Sequence, residues 1–437
     1  MTSKFRSVVL HDDLCKGCTL CVKRCPTEAI RVRGGKAHII KDRCIDCGEC
    51  IRVCPEHAKY AIVDPVEVIH NYKYTIALPA PTLYGQFEGV HDIGLILEAL
   101  RSIGFDEVFE VAAAAEVVTG HIAQWITRED IPLPAINSAC PAVIRMISLK
   151  FPSLAPHVIP IYSPMEYGAR WARRRAAEKH GLDPRDIGVV FISPCPAKVR
   201  AAKMSVASES NVDAVVSIKD IYPRLLPYVN GQRKKPVSHL PSNVGAAGIG
   251  WCSAGGEAAA VDESSYVAAD GVDNVLRLLE DIEDGRLPKD VRFVELNACS
   301  SGCVGGVLTV ESPFVARSRI KSLMRDVDNA HAPRTSMPGA PDDYVWDEEL
   351  SAETGTMQLD SDIGEAMRKM MELQRIEDSL YGMDCGACGA PSCRALAEDI
   401  VRGFATEDLC IYRIRERLQN LLDEQHLENI RSELTDY

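Results

Sequence analysis

The chain has 437 residues, 46% of them hydrophobic, which is enough for two or three domains with sizeable cores. A formal net charge of −13 at pH 7 disfavours nucleic acid or an anionic membrane surface as a partner. The first residues are too polar for a secretion signal, and no apolar run reaches the ~18 residues of a membrane span. The sequence therefore predicts a cytoplasmic protein with no membrane association.

Cysteine usage is the most informative feature of the composition. Seventeen cysteines in a chain without an export signal do not indicate a disulfide framework. Their spacings place sixteen of them in four sets of four, and only Cys252 is left over. The sequence therefore predicts several metal centres.

Residues 1–70 contain two similar cysteine repeats, each with gaps of two, two and three residues and a proline after the last cysteine. Such repeats are typical of a two-cluster ferredoxin domain, in which the fourth cysteine of each repeat ligates the other 4Fe–4S cluster. The predicted ligands of the first cluster are Cys15, Cys18, Cys21 and Cys54. The predicted ligands of the second cluster are Cys44, Cys47, Cys50 and Cys25. Zinc is the alternative occupant, but zinc ribbons do not need this doubled pattern.

Residues 71–325 alternate short apolar runs with helical stretches, as in 74–81, 92–104, 186–194 and 292–299. This alternation predicts an α/β domain with largely parallel sheets. Cys140, Cys195, Cys299 and Cys303 follow or end apolar runs, where α/β folds place their ligands. Lys198, three residues after Cys195, would place a cation near an anionic centre.

The segments around these four cysteines resemble the three signature motifs of FeFe hydrogenases, and they occur in that family's order. The resemblance implies that the four cysteines hold a 4Fe–4S cubane. It also implies that Cys303 bridges to a two-iron subsite with CO, cyanide and dithiolate ligands, together forming the H-cluster. The cyanide and pocket contacts implied by the resemblance are Lys198, Ala80, Pro81, Thr82 and Ser163. The reaction implied is the reversible conversion of two protons and two electrons into H2.

Several residues differ from the pattern of the fast family members. Ala139 stands where those enzymes have a cysteine that passes protons to the dithiolate. The other departures are Met165, Ser193, Ala201 and Asn297. Loss of a positioned proton relay costs ~10²–10⁴ in rate, so the sequence predicts slow turnover.

Three further side chains are candidates for proton transfer. Cys252 resembles part of a family loop near the two-iron subsite, and it is either a substitute proton donor or redox switch, or a small buried hydrophobe. Glu110 and Glu116, on a predicted helix, are either part of another acid relay or solvated surface residues. Surface solvation is the favoured interpretation of the two glutamates.

The C-terminal part begins after residues 326–360, an acidic stretch rich in proline and glycine that predicts a linker or surface excursion. Residues 361–437 predict a small helical 4Fe–4S domain, with zinc as the alternative. The spacing of its cysteines resembles that of corrinoid iron–sulfur proteins and Rnf-type subunits. The predicted ligands are Cys385, Cys388, Cys393 and Cys410. The last helix has an apolar face, which predicts packing or a subunit contact such as a homodimer; the face is formed by Ile411, Ile414, Leu418, Leu421 and Leu422.

The complete prediction is an FeFe-hydrogenase domain with an α+β ferredoxin domain, a small C-terminal cluster domain, three accessory 4Fe–4S clusters and an H-cluster. The leading hypothesis is a slow hydrogenase of the H2-sensing branch, whose partners are H2, protons, a ferredoxin or other redox protein, and a signalling kinase or phosphatase. The second hypothesis is an ordinary ferredoxin-linked hydrogenase with a proton path through Cys252. The third is an iron–sulfur carrier or scaffold without the two-iron subsite, like the Nar-type assembly factors.

Overall fold

The structure is a computed structural model that describes residues 5–204, 210–232, 240–242, 244–261, 264–327, 344–346, 350 and 358–435, with side chains described up to residue 424. Most of the predicted linker, 326–360, lies outside these residues. The strands are β1 (Val8–Leu10), β2 (Ile30–Arg33), β3 (Lys36–Ile39), β4 (Lys59–Ala61), β5 (Tyr74–Pro79), β6 (Glu107–Val108), β7 (Ala135–Ile136), β8 (Ile187–Ser193), β9 (Ala214–Ser217), β10 (Tyr266–Asp270) and β11 (Phe293–Asn297).

The helices are α1 (Leu20–Lys23), α2 (Glu49–Arg52), α3 (Ile93–Ser102), α4 (Val111–Trp125), α5 (Pro141–Lys150), α6 (Pro164–His180), α7 (Pro196–Lys203), α8 (Ile218–Gln232), α9 (Ala246–Gly250), α10 (Gly256–Val261), α11 (Val272–Glu283), α12 (Pro313–Asp326), α13 (Ile363–Ser379), α14 (Cys393–Val401) and α15 (Ile411–Thr435). Short 3₁₀ turns connect several of them, among them Pro81–Gln86 and Cys303–Gly305.

The described chain forms two compact units. The first comprises Met1–Val9, Ile45–Arg52 and Tyr60–Glu353, and the second comprises Leu10–Cys44, Val53–Lys59 and Thr354–Tyr437. These units are defined by contacts within the folded chain. The domain boundaries predicted along the sequence, 1–70, 71–325 and 361–437, remain predictions.

Two parallel sheets form the centre of the first unit. One has the strand order β6-β5-β8-β9 and the other has the order β10-β11-β7. Every residue of β8 is buried, as expected for a parallel strand covered on both faces by helices. The predicted α/β class with parallel sheets is confirmed, and four of the apolar or helical stretches chosen from the sequence form β5, α3, β8 and β11.

The second unit contains the antiparallel hairpin β2-β3 and the helices α13, α14 and α15. Its C-terminal part has a small core in which Leu373, Ile376 and Leu380 pack with Leu396 and Cys410. The apolar face of α15 is exposed, from Ile414 at 40% to Leu422 at 61%. Packing within the described chain therefore does not cover that face.

Candidate iron–sulfur centres and active site

Four cysteines of the first unit line one cavity, although they are far apart in the sequence. Cys140 follows β7 and precedes α5, and Cys195 follows β8 and precedes α7. Cys299 follows β11, and Cys303 begins a 3₁₀ turn. The carboxyl ends of parallel strands deliver these residues to the cavity, as the sequence predicted.

The cavity is a favourable place for an anionic metal group. Cys140 and Cys195 are the N-cap residues of α5 and α7, so the positive ends of two helix dipoles lie at the cavity. Burial raises the pKa of Cys195 to about 11 and, with the neighbouring Cys195 and Cys140 thiols, raises the pKa of Cys303 well above its usual value. Without a metal group these cysteines keep their protons, and a cationic iron group would displace the protons as it takes up the sulfurs as thiolates. The donor set therefore fits a cluster, although no three His, Cys, Asp or Glu side chains among the described residues could hold a single metal ion.

Most of the predicted pocket residues line the same cavity. These are Ala80, Pro81, Thr82, Ala139, Met165, Lys198, Cys252 and Asn297. The Lys198 ammonium donates a hydrogen bond to the Ala139 carbonyl, with 2.9 Å between Nζ and O. Ser163 is the N-cap residue of α6, and the residues after it, Pro164 and Met165, are the ones that line the cavity.

Cys252 is 3% exposed, and its sulfur lies 3.4 Å from the Ile249 carbonyl oxygen. Burial raises the pKa of this thiol to about 12, partly offset by the nearby Thr82 hydroxyl. That hydroxyl is itself buried, and no described group completes a well-oriented hydrogen bond with it. A thiol and a hydroxyl are thus adjacent on the cavity wall, and both retain their protons at neutral pH.

The interpretation as a solvated surface residue was wrong for Glu110, which is buried, whereas Glu116 is half-buried. Glu110 is 8% exposed, and its Oε2 accepts hydrogen bonds from the hydroxyls of Tyr84 at 3.0 Å and Ser242 at 2.9 Å. Glu116 accepts a hydrogen bond from the Gly245 backbone N–H at 2.7 Å, so it fixes the start of α9. The burial of Glu110 and the hydrogen bonds of Glu116 both depend on residues that are distant in the sequence.

A buried pair of carboxylates behind the cavity was missed by the sequence analysis. Glu295 accepts hydrogen bonds from the Ala258 backbone N–H at 2.8 Å and from the Asn297 amide at 2.6 Å. Glu257 accepts one from the Asn137 amide at 2.7 Å. Burial and the Glu295 charge raise the pKa of Glu257 to about 8. The one sequence signal was an acidic residue inside the apolar run of β11.

The first ferredoxin set forms a second cavity, within the second unit. Cys15, Cys18, Cys21 and Cys54 all line it. Backbone N–H groups point at two of the sulfurs, from Ala37 to Cys15 at 3.4 Å and from Ala58 to Cys54 at 3.3 Å. The Lys59 side chain also lines this cavity, and its ammonium is buried without a hydrogen-bond partner among the described residues. Amide donors and a buried cation fit an anionic 4Fe–4S cluster.

The second ferredoxin set contains cysteines of both compact units. In the second ferredoxin set, Cys25 and Cys44 belong to the second unit and Cys47 and Cys50 belong to the first. The sulfur of Cys25 accepts a hydrogen bond from the Ala29 backbone N–H at 3.2 Å.

The C-terminal set is built on a tight loop that precedes α14. Gly386 and Gly389 have φ values of 76° and 79°, which allow the loop to turn sharply between its cysteines. The Asp384 carboxylate accepts a hydrogen bond from the Cys393 backbone N–H at 2.6 Å. Cys410 is buried, with Cys388 and Cys393 packed against the same core. These three cysteines therefore lie together at one end of the C-terminal helices.

Comparison with known proteins agrees with this arrangement. Residues 73–226 and 248–307 match the family described as iron only hydrogenase large subunit, C-terminal domain. Residues 7–55 match the 4Fe-4S dicluster domain, and residues 380–412 match an Fe-S cluster family. In the part of the chain that is described, no helix is both long enough and apolar enough to cross a membrane.

The chain is similar to individual proteins of two kinds. It is 25% identical over 364 residues to the periplasmic [Fe] hydrogenase large subunit of Nitratidesulfovibrio vulgaris, which covers 69% of this chain and 86% of that protein. It is 28% identical over 142 residues to a cytosolic Fe-S cluster assembly factor NAR1 homolog of Schizosaccharomyces japonicus, which covers 31% of this chain and 27% of that protein. A variant of [FeFe]-hydrogenase HydA1 from Chlamydomonas reinhardtii shares the fold with a TM-score of 0.50 at 19% identity, covering 64% of this chain and 95% of that one.

Proposed function

Since residues 73–226 and 248–307 match the iron only hydrogenase large subunit, C-terminal domain, we propose that the chain is a slow FeFe hydrogenase. It would interconvert H2 with two protons and two electrons and serve H2 sensing or redox signalling. The observation that carries this proposal is the composition of one cavity. Four cysteines and Lys198 provide a complete set of cluster contacts there, while Ala139 supplies no proton at the same wall.

The residues that would hold the H-cluster are those of this cavity. Cys140, Cys195, Cys299 and Cys303 would hold the cubane, and Cys303 would bridge to the two-iron subsite. Ala80, Pro81, Thr82, Ser163 and Lys198 would contact the diatomic ligands or shape the pocket around them. When bound, this group supplies H2 binding and electron exchange, and the protein supplies orientation, exclusion of water and the proton route.

The proposed slow turnover follows from the scarcity of proton-transferring side chains on the wall of the cavity. Besides Ala139, the wall has Val111, Ala115 and Met165, none of which carries a transferable proton. A missing relay costs ~10²–10⁴ in rate. A protein of this kind changes the redox state of its clusters when H2 is present, but it turns over little H2, which suits a sensor.

The accessory sites would carry electrons between the cavity and a partner. We propose three 4Fe–4S clusters for this role, two in the ferredoxin repeats and one in the C-terminal loop. The exposed side of the C-terminal helices would present the signal to a redox or signalling protein, or to a second copy of the chain. We propose a cytoplasmic location, which cell fractionation tests directly.

Infrared spectroscopy of protein matured anaerobically with a two-iron precursor tests the proposal. Sharp CO and cyanide bands that shift with H2, together with low turnover, are the expected result. Bands with turnover comparable to fast hydrogenases would overturn the sensor role. The absence of such bands, with iron analysis showing four cubanes, would overturn the hydrogenase activity itself.

A second candidate is an ordinary ferredoxin-linked hydrogenase whose protons pass through Cys252. It is favoured by a chain of polar groups behind the cavity wall, in which the Tyr84 hydroxyl donates to the buried Glu110. Burial and Glu110 raise the pKa of the Tyr84 phenol, and Cys252 lies close enough to add a smaller contribution. Under this candidate, Cys252→Ala removes nearly all activity while the infrared bands persist. Under the sensor proposal, the same variant keeps its residual rate.

A third candidate is a cluster carrier or scaffold, which the similarity to the NAR1 homolog favours. Such a protein would keep the cubane of the four dispersed cysteines and would never acquire the two-iron subsite. Infrared bands from a matured sample would exclude it.

A further inference from the structure

One strand of the second unit separates two predicted cluster sites. The Val32 residue of β2 lines the cavity of Cys15, Cys18, Cys21 and Cys54. Its backbone N–H donates to the Gly389 carbonyl oxygen at 2.8 Å. The neighbouring Arg33 guanidinium donates to the carbonyl oxygen of Cys388 at 2.9 Å. Val32 therefore lies on the wall of one site and is hydrogen-bonded to the loop of the other, and Arg33 adds a second contact with that loop.

Buried ion pairs fix this arrangement. Asp399 on α14 accepts hydrogen bonds from Arg31 Nε at 2.7 Å and from Arg33 Nη2 at 2.6 Å. The side chains of Arg31 and Asp399 are only 6% and 7% exposed. Next to them, Glu398 pairs with the buried Arg43. Because α14 begins at Cys393, these pairs hold a ligand-bearing helix against the ferredoxin hairpin.

The C-terminal loop also approaches the hairpin too closely for side chains at its glycines. A Cβ atom at Gly389 would lie 2.0 Å from the Val32 carbonyl oxygen, and one at Gly386 would lie 2.7 Å from the Cε of Lys23. The Lys23 ammonium donates to the Pro391 carbonyl oxygen at 3.1 Å, and Lys23 itself lies between Cys21 and Cys25. The contact between the C-terminal loop and the ferredoxin segment therefore depends on Gly386, Gly389 and Lys23 as well as on the ion pairs.

The first ferredoxin cavity contains an uncompensated cation. Lys59 is 3% exposed, and its ammonium finds no hydrogen-bond partner in the described part of the chain. A buried ammonium without a partner is unfavourable unless an anion lies beside it. Besides the exposed Glu56 carboxylate, the anionic groups that this cavity can offer are the thiolates of its four cysteines and the cluster they would hold.

We propose that the C-terminal site and the first ferredoxin site form one two-cluster electron relay across β2, in which Lys59 makes the ferredoxin cluster the electron acceptor of the pair. With both sites loaded, one electron would pass from the group held by Cys385, Cys388, Cys393 and Cys410, which is oxidised, to the group held by Cys15, Cys18, Cys21 and Cys54, which is reduced. No bond is made or broken, and no proton moves. Lys59 favours this direction because a cation in a low-dielectric site stabilises the more negative, reduced cluster. The proposal rests on the loading of these two sites given under the proposed function.

Electron paramagnetic resonance of the full chain tests the contact between the two sites. The protein is reconstituted with iron and sulfide alone and then reduced, so the two-iron subsite plays no part. We expect magnetic interaction between two clusters that disappears both in Cys385→Ala and in Cys18→Ala. Met383→Ala, an exposed residue beside the loop, is the matched control and keeps the interaction. The relay is overturned if Cys385→Ala leaves the spectrum of the remaining clusters unchanged.

A redox titration tests the role of Lys59. We expect Lys59→Met to shift the potential of the first ferredoxin cluster to more negative values. Lys41→Met removes an exposed lysine of the same unit that does not line this cavity, and the shift there is much smaller because water screens that charge. Iron and sulfide content identifies a variant that has failed to assemble, in which case Lys59→Gln is titrated instead. Equal shifts in the buried and exposed variants overturn the assignment. Neither measurement involves H2, so neither outcome bears on the hydrogenase activity.

Discussion

The first ferredoxin cavity and the active-site cavity both collect four cysteines, but their remaining walls differ in chemistry. The first presents the Lys59 cation and backbone N–H groups that point at the sulfurs. The second is lined mainly by apolar groups. Lys198 is the one lysine among the described residues that line it, and Ala139 directly precedes Cys140. One site is thus equipped to stabilise added electrons, while the other is poor in groups that move protons.

This contrast indicates which step we expect to limit the rate of the reaction. Electron transfer between closely held clusters needs no mobile side chain, whereas proton transfer needs donors and acceptors in hydrogen-bond reach. The described wall offers protonated groups at Cys252 and Thr82, and the carboxylates Glu110 and Glu257 lie behind it. We therefore expect proton supply, and not electron supply, to limit the rate.

The largest expected effect is the loss of the contact between the ferredoxin hairpin and the C-terminal loop when Asp399 is removed. Asp399→Ala leaves two guanidinium groups, one of them buried, without their carboxylate. Breaking a buried ion pair costs about 3–5 kcal/mol, which corresponds to roughly 100-fold or more in an equilibrium constant. Hydrogen exchange of the Val32 amide, which is bonded to the C-terminal loop, should accelerate by a similar factor.

The control for this variant is an exposed ion pair in the same unit. Glu372 and Arg375 pair on the surface of α13, and Glu372→Ala should leave exchange at Val32 unchanged. Unaltered exchange in Asp399→Ala would mean that the contact between hairpin and loop does not depend on these charges.

The next largest expected effect is a faster rate of H2 evolution when a thiol is introduced at position 139 in Ala139→Cys. The Ala139 side chain lines the cavity, and its carbonyl is held by Lys198. A cysteine there supplies one proton donor but not a whole relay, so we expect a gain of about 10-fold, below the ~10²–10⁴ of complete general acid–base groups. H2 evolution by the matured protein measures it. Ala115→Cys, which places the same thiol elsewhere on the wall, should give no gain; equal rates in both variants would contradict a specific role for position 139.

The cysteine sets illustrate what local spacing can predict. Two-residue gaps and a following proline determine the ferredoxin repeats within short segments, and the apolar runs before Cys195 and Cys299 predicted β8 and β11. The convergence of Ala80, Lys198 and Cys252 on one cavity followed only from the family resemblance, because no local pattern connects segments so far apart.

The charged residues that the sequence analysis misjudged or missed are buried by segments that are distant in the sequence. Glu110 looked like a surface residue because its partners, Tyr84 and Ser242, come from other loops. The pair of Glu257 and Glu295 was invisible for the same reason, since α10 and β11 meet only in the folded chain. The ion pairs of Asp399 join segments more than 360 residues apart.

A further expected effect is on the pH dependence of stability, through Glu257. Its pKa rises to about 8 in the folded protein because of burial and the neighbouring Glu295 charge, while an unfolded glutamate has a pKa of about 4.3. Between these values the folded state binds more protons than the unfolded state, so stability falls as pH rises through this window. Above about pH 8 the group is ionised in both states, and its contribution no longer changes.

Glu257→Gln should therefore flatten the decline of the thermal midpoint between about pH 5 and pH 8, and it should leave the acid side of the curve nearly unchanged. Glutamine keeps the hydrogen bond to the Asn137 amide, so the packing around α10 is preserved. Glu280→Gln, on the polar side of α11, removes one negative charge from a surface helix and should not flatten the curve. If the two variants give the same curve, the buried pair is not protonated at neutral pH, and the active-site cavity would lack even this reserve of protons behind its apolar wall.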